Sequence, residues 1–170
     1  MQIFIMIRGL FRPVVGTTAV QRRFLSVASL LPTKLLTKAG AKATSEVLTG
    51  KKVVALYFSA HWCPPCRGFT PVASEFYKKL ALEDPNALEV IFISSDEDEK
   101  AFSKYYDSQP WAAVPFSSPE TQTLGAKFGV RGIPSLIVLN AKTGEVVDQD
   151  GRSTVLANKD QPVGAMTTWK

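Results

Sequence analysis

The chain has 170 residues, 45% of them hydrophobic, and a formal net charge of +5. That length suits one domain with a real core, and no apolar run approaches the ~18 residues of a membrane span. The positive charge does not point to nucleic acid: residues 1–43 hold seven Lys/Arg and no acid, whereas residues 51–170 hold thirteen basic and fourteen acidic side chains, leaving the globular part close to neutral.

Residues 1–25 interleave Arg8, Arg12, Arg22 and Arg23 with apolar residues such as Phe4, Ile7, Phe11 and Phe24. Arg-rich, acid-poor and amphipathic, this stretch reads as an organelle transit peptide rather than as fold. Arg23-Phe24-Leu25-Ser26 is similar to the arginine-marked processing sites of mitochondrial presequences. A secretory signal fits less well, since the positive charge does not precede the apolar stretch and Arg8 interrupts it. A mitochondrial address is expected, with the cytoplasm or another organelle as the alternative. The division expected is residues 1–28 as presequence and 29–170 as the folded domain.

Leu35–Lys38 and Ala43–Glu46 are short strand candidates around Ala39-Gly40-Ala41. Residues 53–59 then form a strand-length apolar run, Val53-Val54-Ala55-Leu56-Tyr57-Phe58-Ser59. His61-Trp62-Cys63-Pro64-Pro65-Cys66-Arg67 follows, with the only two cysteines and the only histidine of the chain. Beyond it Phe69, Val72, Phe76 and Leu80 recur at helical spacing, with Lys78 and Lys79 near the expected C-terminal end. Cys63 is therefore expected where a strand ends and a helix starts. Pro64 and Pro65 suit the first turn, whose N–H groups have no intrahelical partner. Pro71 is expected to kink the helix.

That placement has chemical consequences. A thiolate attacks disulfides, and the free N–H groups and positive dipole end of a helix N-terminus favour the anion. Cys63 is predicted as the exposed nucleophile and Cys66, one turn on and close enough for a disulfide, as the resolving thiol. The two prolines remove two donors, which leaves the depth of the thiol pKa drop open. A structural disulfide would close too small a loop to stabilise much. A zinc site would have His61, Cys63 and Cys66 but no fourth Cys or His. Haem attachment requires His after the second Cys, where Arg67 stands. Redox exchange is favoured.

Further on, Asp84-Pro85-Asn86 is a turn and Leu88–Ser95 a second buried strand. Asp96-Glu97-Asp98-Glu99 is expected to open a helix to about Ser108, acids in a first turn suiting the dipole. Val114-Pro115-Phe116 reads as a short extended piece. A helix with Pro119 at its first position runs to Phe128 and stops at Gly129. Residues 135–140 and 145–148 form a hairpin; the polar tail from Gly151 to Trp169-Lys170 carries no readable pattern. The fold class expected is α/β, a mixed central sheet with helices on both faces and an N-terminal β-hairpin.

The motifs Trp62-Cys63-Pro64-Pro65-Cys66 after a buried strand, and Ile133-Pro134 before the next, resemble a thioredoxin-like fold. Tyr57 through Pro71 is similar almost residue for residue to the tryparedoxin and nucleoredoxin group. So are Ser94-Ser95-Asp96-Glu97, Pro110-Trp111 with Val114-Pro115-Phe116, and Gly132-Ile133-Pro134. The resemblance runs from about Leu31 to about Leu156. It implies a dithiol oxidoreductase that reduces protein disulfides, a peroxiredoxin among the candidate targets. The other readings are a disulfide oxidase or isomerase, and a redox-gated binding module without turnover. It further implies that Pro134 is a cis-proline facing the cysteines, and that Trp62, Pro64, Pro65, Ile133 and Pro134 meet the substrate. No cofactor is expected beyond the Cys63–Cys66 disulfide itself, and no metal. The expected partners are oxidised proteins and, as electron donor, a small dithiol or a flavin reductase; nucleic acid and membrane are not expected, and the protein is expected to act as a monomer. Tyr57 stands where ordinary thioredoxins carry a buried acid, so another group must move the proton of Cys66. Glu97 is the candidate, against its reading as helix-start chemistry. The group's Phe-Pro-Trp near the C-terminus is reduced here to Trp169.

Overall fold

The structure is a computed structural model that describes residues 26–170; the stretch expected to be the transit peptide lies outside the described residues, apart from its last three. Among these residues one mixed seven-stranded sheet organises the chain, in the order β2 (Gly40–Ala43), β1 (Lys34–Thr37), β5 (Ala112–Ala113), β4 (Leu88–Ser94), β3 (Val53–Ser59), β6 (Ser135–Asn140) and β7 (Val146–Asp148). Its centre is β3 (Val53–Ser59), buried along its whole length, parallel to β4 (Leu88–Ser94) on one side and antiparallel to β6 (Ser135–Asn140) on the other. Both faces of β3 are apolar because both are covered, the pattern of a sheet flanked by helices. Tyr57 and Ala55 face one core with α2 (Pro64–Glu83) and α3 (Glu99–Asp107). Leu56 and Phe58 face a second core with α4 (Glu120–Lys127) and the N-terminal Val27 and Leu31. Among the described residues no helix is long and apolar enough to cross a membrane.

Several element bounds differ from expectation. The N-terminal hairpin pairs β1 (Lys34–Thr37) with β2 (Gly40–Ala43). Gly40, at φ +101°, closes a two-residue turn, so the second strand begins three residues early. Thr44, expected in that strand, instead opens the short helix α1 (Thr44–Val47), its hydroxyl donating to the Pro32 carbonyl. The helix after the cysteines continues past Lys79 to Glu83, because buried Leu80 extends its apolar face. It includes Pro71 as an interior residue. The acidic run divides: Asp98 caps α3, its Oδ1 accepting from the Ala101 N–H at 2.8 Å, while Asp96 and Glu97 precede the helix. The extended piece is β5 (Ala112–Ala113), paired with β4 and β1. The Val114 N–H still donates to Phe92 at 2.9 Å, and Pro115 then has no N–H to continue. Pro119 is the N-cap of α4 rather than its first residue.

The tail is ordered. After β7 (Val146–Asp148) come α5 (Gly151–Ala157), a 3₁₀ turn at Pro162–Gly164 and α6 (Ala165–Thr168). Trp169 is buried edge-on to Phe76 at 5.9 Å, its indole N–H donating to Asp148 Oδ2 at 2.8 Å. The other end also packs earlier than expected: Val27, assigned to the presequence, is fully buried in the second core. A valine side chain is best removed from water wherever a core can take it, so the packed residues include one that lies two positions before the expected boundary at 29.

Candidate active site

Cys63 is the N-cap of α2, with extended backbone (φ −88°, ψ 110°), and Pro64 and Pro65 occupy the first two helical positions. The backbone turns out of β3 at Ala60, where the Cys63 N–H donates to the Ala60 carbonyl at 3.3 Å; the Cys63 carbonyl then accepts from Arg67 at 3.1 Å and starts the helix. Cys63 and Cys66 form a disulfide with Cα atoms 5.2 Å apart. Only Cys66, of the first three helical residues, has an N–H to offer an anion. The prediction of an exposed Cys63 is corrected: in this disulfide it is 4% exposed, against 0% for Cys66. The order of access is kept, but the loop before β6 covers the pair, bringing the Ile133 carbonyl oxygen to 3.8 Å from Cys63 Sγ. The Ile133–Pro134 peptide is cis, as the resemblance implies.

Trp62, 57% exposed, lies flat enough against the chain for its indole N–H to donate to the Ser95 carbonyl at 3.0 Å. With Ile133, Phe58, Val130 and Gly132 it lines an apolar groove of about 600 Å³ beside the disulfide. Pro64 and Pro65 are exposed. The candidate substrate-facing residues Trp62 and Ile133 therefore meet at one groove.

Asp96 is the residue that sequence reasoning missed here. It is buried, its Oδ1 accepts from the His61 N–H at 2.7 Å and its Oδ2 from the Ser94 hydroxyl at 2.8 Å. The carboxylate thus fixes the loop that carries the motif to the end of β4. The signal is the parallel pairing of Ser59 with Ser94, which sends both loops off the same end of the sheet. Glu97 is exposed next to it and borders a surface cavity with Pro115 and Phe116. His61, half-buried, packs edge-on to Tyr105 at 5.9 Å.

Under the first turn of α2 the structure holds a closed ring of hydroxyls. Tyr57 contacts Thr70 at 2.8 Å and Ser59 at 3.0 Å; Tyr105 contacts Thr70 at 2.5 Å and Ser59 at 2.9 Å. Thr70 also donates to the Cys66 carbonyl at 3.0 Å. Burial pushes the Tyr57 phenol well above its usual range, only partly offset by the hydrogen bonds of Ser59 and Thr70. At the place of the usual buried acid there is thus a neutral phenol. Among the described residues no group of three His, Cys, Asp or Glu is arranged to hold a metal ion.

A buried, accessible-side-first dithiol pair at a helix start, facing a cis-proline, has the parts for thiol–disulfide exchange. The thioredoxin-like family model matches residues 50–146. The chain is 44% identical over 146 residues to tryparedoxin of Trypanosoma brucei brucei, covering 84% of this chain and 96% of that one. It is 47% identical over 124 residues to probable nucleoredoxin 1 of Arabidopsis thaliana, 73% of this chain but 21% of that longer protein. Among solved structures, tryparedoxin from Trypanosoma brucei aligns with a TM-score of 0.72 at 46% identity, over 79% of this chain and 93% of that one.

Proposed function

Because the chain belongs to the thioredoxin-like family, in its tryparedoxin and nucleoredoxin group, we propose that this oxidoreductase is a protein-disulfide reductase. The Cys63 thiolate attacks one sulfur of a target disulfide, and the other target sulfur leaves as a thiolate that takes up a proton. Cys66, as thiolate, then attacks Cys63 Sγ; the second target sulfur leaves and is protonated, and the Cys63–Cys66 disulfide closes. Two electrons pass to the target, and a reductant restores the dithiol. The observation that carries the reading is the Cys63–Cys66 pair at the α2 N-terminus, with the carbonyl of the cis Ile133–Pro134 unit 3.8 Å from Cys63 Sγ and with Trp62 and Ile133, which flank Cys63, lining one groove. Trp62, Pro64, Pro65, Ile133 and Pro134 would receive an extended protein target, a peroxiredoxin among them. A small thiol compound, such as a small dithiol, is favoured as donor over a flavin reductase, since a related tryparedoxin II has been solved with the small thiol compound glutathionylspermidine. Glu97 would move the resolving proton through water. Residues 1–25 would direct the chain to mitochondria.

The test is insulin reduction with excess dithiothreitol. Multiple turnover is expected, with Cys63→Ser inactive (at least ~10³-fold down) and Cys66→Ser accumulating mixed disulfides with its targets, which mass spectrometry identifies. Stoichiometric, oxidation-sensitive binding without turnover would replace the reductase reading by a binding module. Faster alkylation of Cys66 than of Cys63 in the reduced protein would reverse the two roles.

A further inference from the structure

The family match ends at residue 146, yet the chain beyond it reaches back to the dithiol. Gly151 opens α5 at a point where no side chain fits: a Cβ there would lie 2.8 Å from the Leu136 carbonyl oxygen and 2.8 Å from Val138 Cγ2. The close approach seats α5 on β6, and the next residue, Arg152, is directed at the site. Its Nη1 donates to the Pro134 carbonyl at 3.3 Å. Its guanidinium lies over the Phe69 ring, 5.5 Å from the centroid, and Phe69 is on α2 one turn after Cys66, in the same core cluster as both cysteines. Its Nε is buried and has no hydrogen-bond partner. Among the described residues no carboxylate forms an ion pair with it.

A partly buried, permanently charged side chain without a counter-ion is costly, and the two things it touches are the two walls of the disulfide. We propose that Arg152 is a positioning residue of the dithiol reaction, which braces the Pro134 carbonyl against the Phe69 side of α2 and supplies the cation that the thiolate state lacks. This rests on the reading of Cys63 and Cys66 as the reacting pair. The charged groups on the surrounding elements do not serve instead. β6 carries none. Asp148 Oδ2 is occupied by Thr154 at 2.6 Å and Trp169 at 2.8 Å, and Asp150 holds Ser153 at 2.6 Å. Arg67 on α2 and Arg131 before β6 are exposed, and Asp96 is engaged by His61 and Ser94. Removing the guanidinium therefore destabilises the thiolate relative to both thiol and disulfide, which raises the pH at which Cys63 reacts and makes the couple more reducing.

The experiment compares Arg152→Gln, which keeps an N–H donor without charge, with Arg152→Lys, which keeps charge without the planar fork. The full chain is reduced, and iodoacetamide alkylation of Cys63 is followed against pH; the redox equilibrium is measured in glutathione buffers. Arg152→Gln is expected to lower the thiolate population about tenfold at a given pH below its pKa, and, at a pH above the thiol pKa of both proteins, to shift the couple by about −30 mV, the equivalent of a tenfold equilibrium change. Arg152→Lys is expected to recover most of the alkylation profile but to raise KM for insulin more than it lowers kcat. A profile and a potential for Arg152→Gln identical to the parent's, with only the melting temperature lowered, would overturn the proposal and leave Arg152 a structural brace. Absence of insulin turnover in the parent protein would instead count against the reductase reading, while the alkylation profiles would still decide the role of Arg152.

Discussion

The hydroxyl ring is over-subscribed at the scale of single residues. Five close contacts join Ser59, Tyr57, Thr70, Tyr105 and the Cys66 carbonyl, but four hydroxyls carry only four protons. One edge is always without a proton, and the vacancy can move without any heavy atom moving. Two substitutions separate on this count. Tyr57→Phe leaves three protons for three contacts and is expected to cost only about 0.5–1.5 kcal/mol. Thr70→Val leaves three protons for two contacts, so a buried donor goes unsatisfied, and the Cys66 carbonyl loses its side-chain donor. That change is expected to cost about 1–3 kcal/mol, more than Tyr57→Phe. Urea unfolding of both variants checks the order; since Phe keeps the aromatic packing against Phe69 and Trp111, a costlier Tyr57→Phe would mean that the Tyr57 hydroxyl holds the hydroxyl ring together more than Thr70 does. The ring was not legible in the sequence. Tyr57 could be placed on the strand and Tyr105 on a helix, but only the packing of α3 over the sheet brings their hydroxyls to Thr70.

β4 carries an acid where its neighbours are apolar. Glu89 is buried and pairs with Lys51 at 3.0 Å, where the chain enters β3. Burial pushes its carboxyl above the usual range, and this outweighs the pull of Lys51 and of the Ala112 N–H in the other direction. The folded state therefore holds the proton more tightly than the unfolded chain. The stability that this affinity brings is complete below the unfolded value of ~4.3 and is lost as pH rises through the folded one. Glu89→Gln is expected to remove that fall, so the difference between parent and variant changes steadily just above pH ~4.3 and levels off beyond the folded value. Urea midpoints from pH 4 upward measure it, and parallel curves would show that the pair with Lys51 cancels the burial. Element identity was largely readable in advance, from the apolar runs of β3 and β4 and from the Cys-Pro-Pro-Cys helix start. Bounds were not, because they depend on partners: Thr44 leaves its strand for the Pro32 carbonyl, and β5 stops where Pro115 has no N–H.

At the scale of the whole molecule, both ends of the described residues are joined to the fold more closely than local pattern suggests. Val27 is buried at one end and Trp169 at the other. A chain starting at Ser26 is expected to keep the stability and insulin turnover of the full protein, whereas one starting at Ser29 loses the Val27 contact and about 1.5–3 kcal/mol. Isolated mitochondria should import the full chain and not the one starting at Ser26; equal import of both would remove the targeting role from residues 1–25. By itself the sequence determined the sheet-and-helix class and the candidate redox pair; the cis peptide was expected only from the resemblance to the family. The class and the pair depend on short-range facts: apolar periodicity, two prolines suited to the first turn of a helix, and two cysteines one turn apart. The tertiary structure alone decided the access of Cys63, the inward turn of Asp96, the hydroxyl ring and the reach of Arg152 from the tail. Each joins residues that are distant in the chain, through the parallel register of β3 with β4 or the seating of α5 on β6, and no local pattern encodes which side chains such pairings bring together.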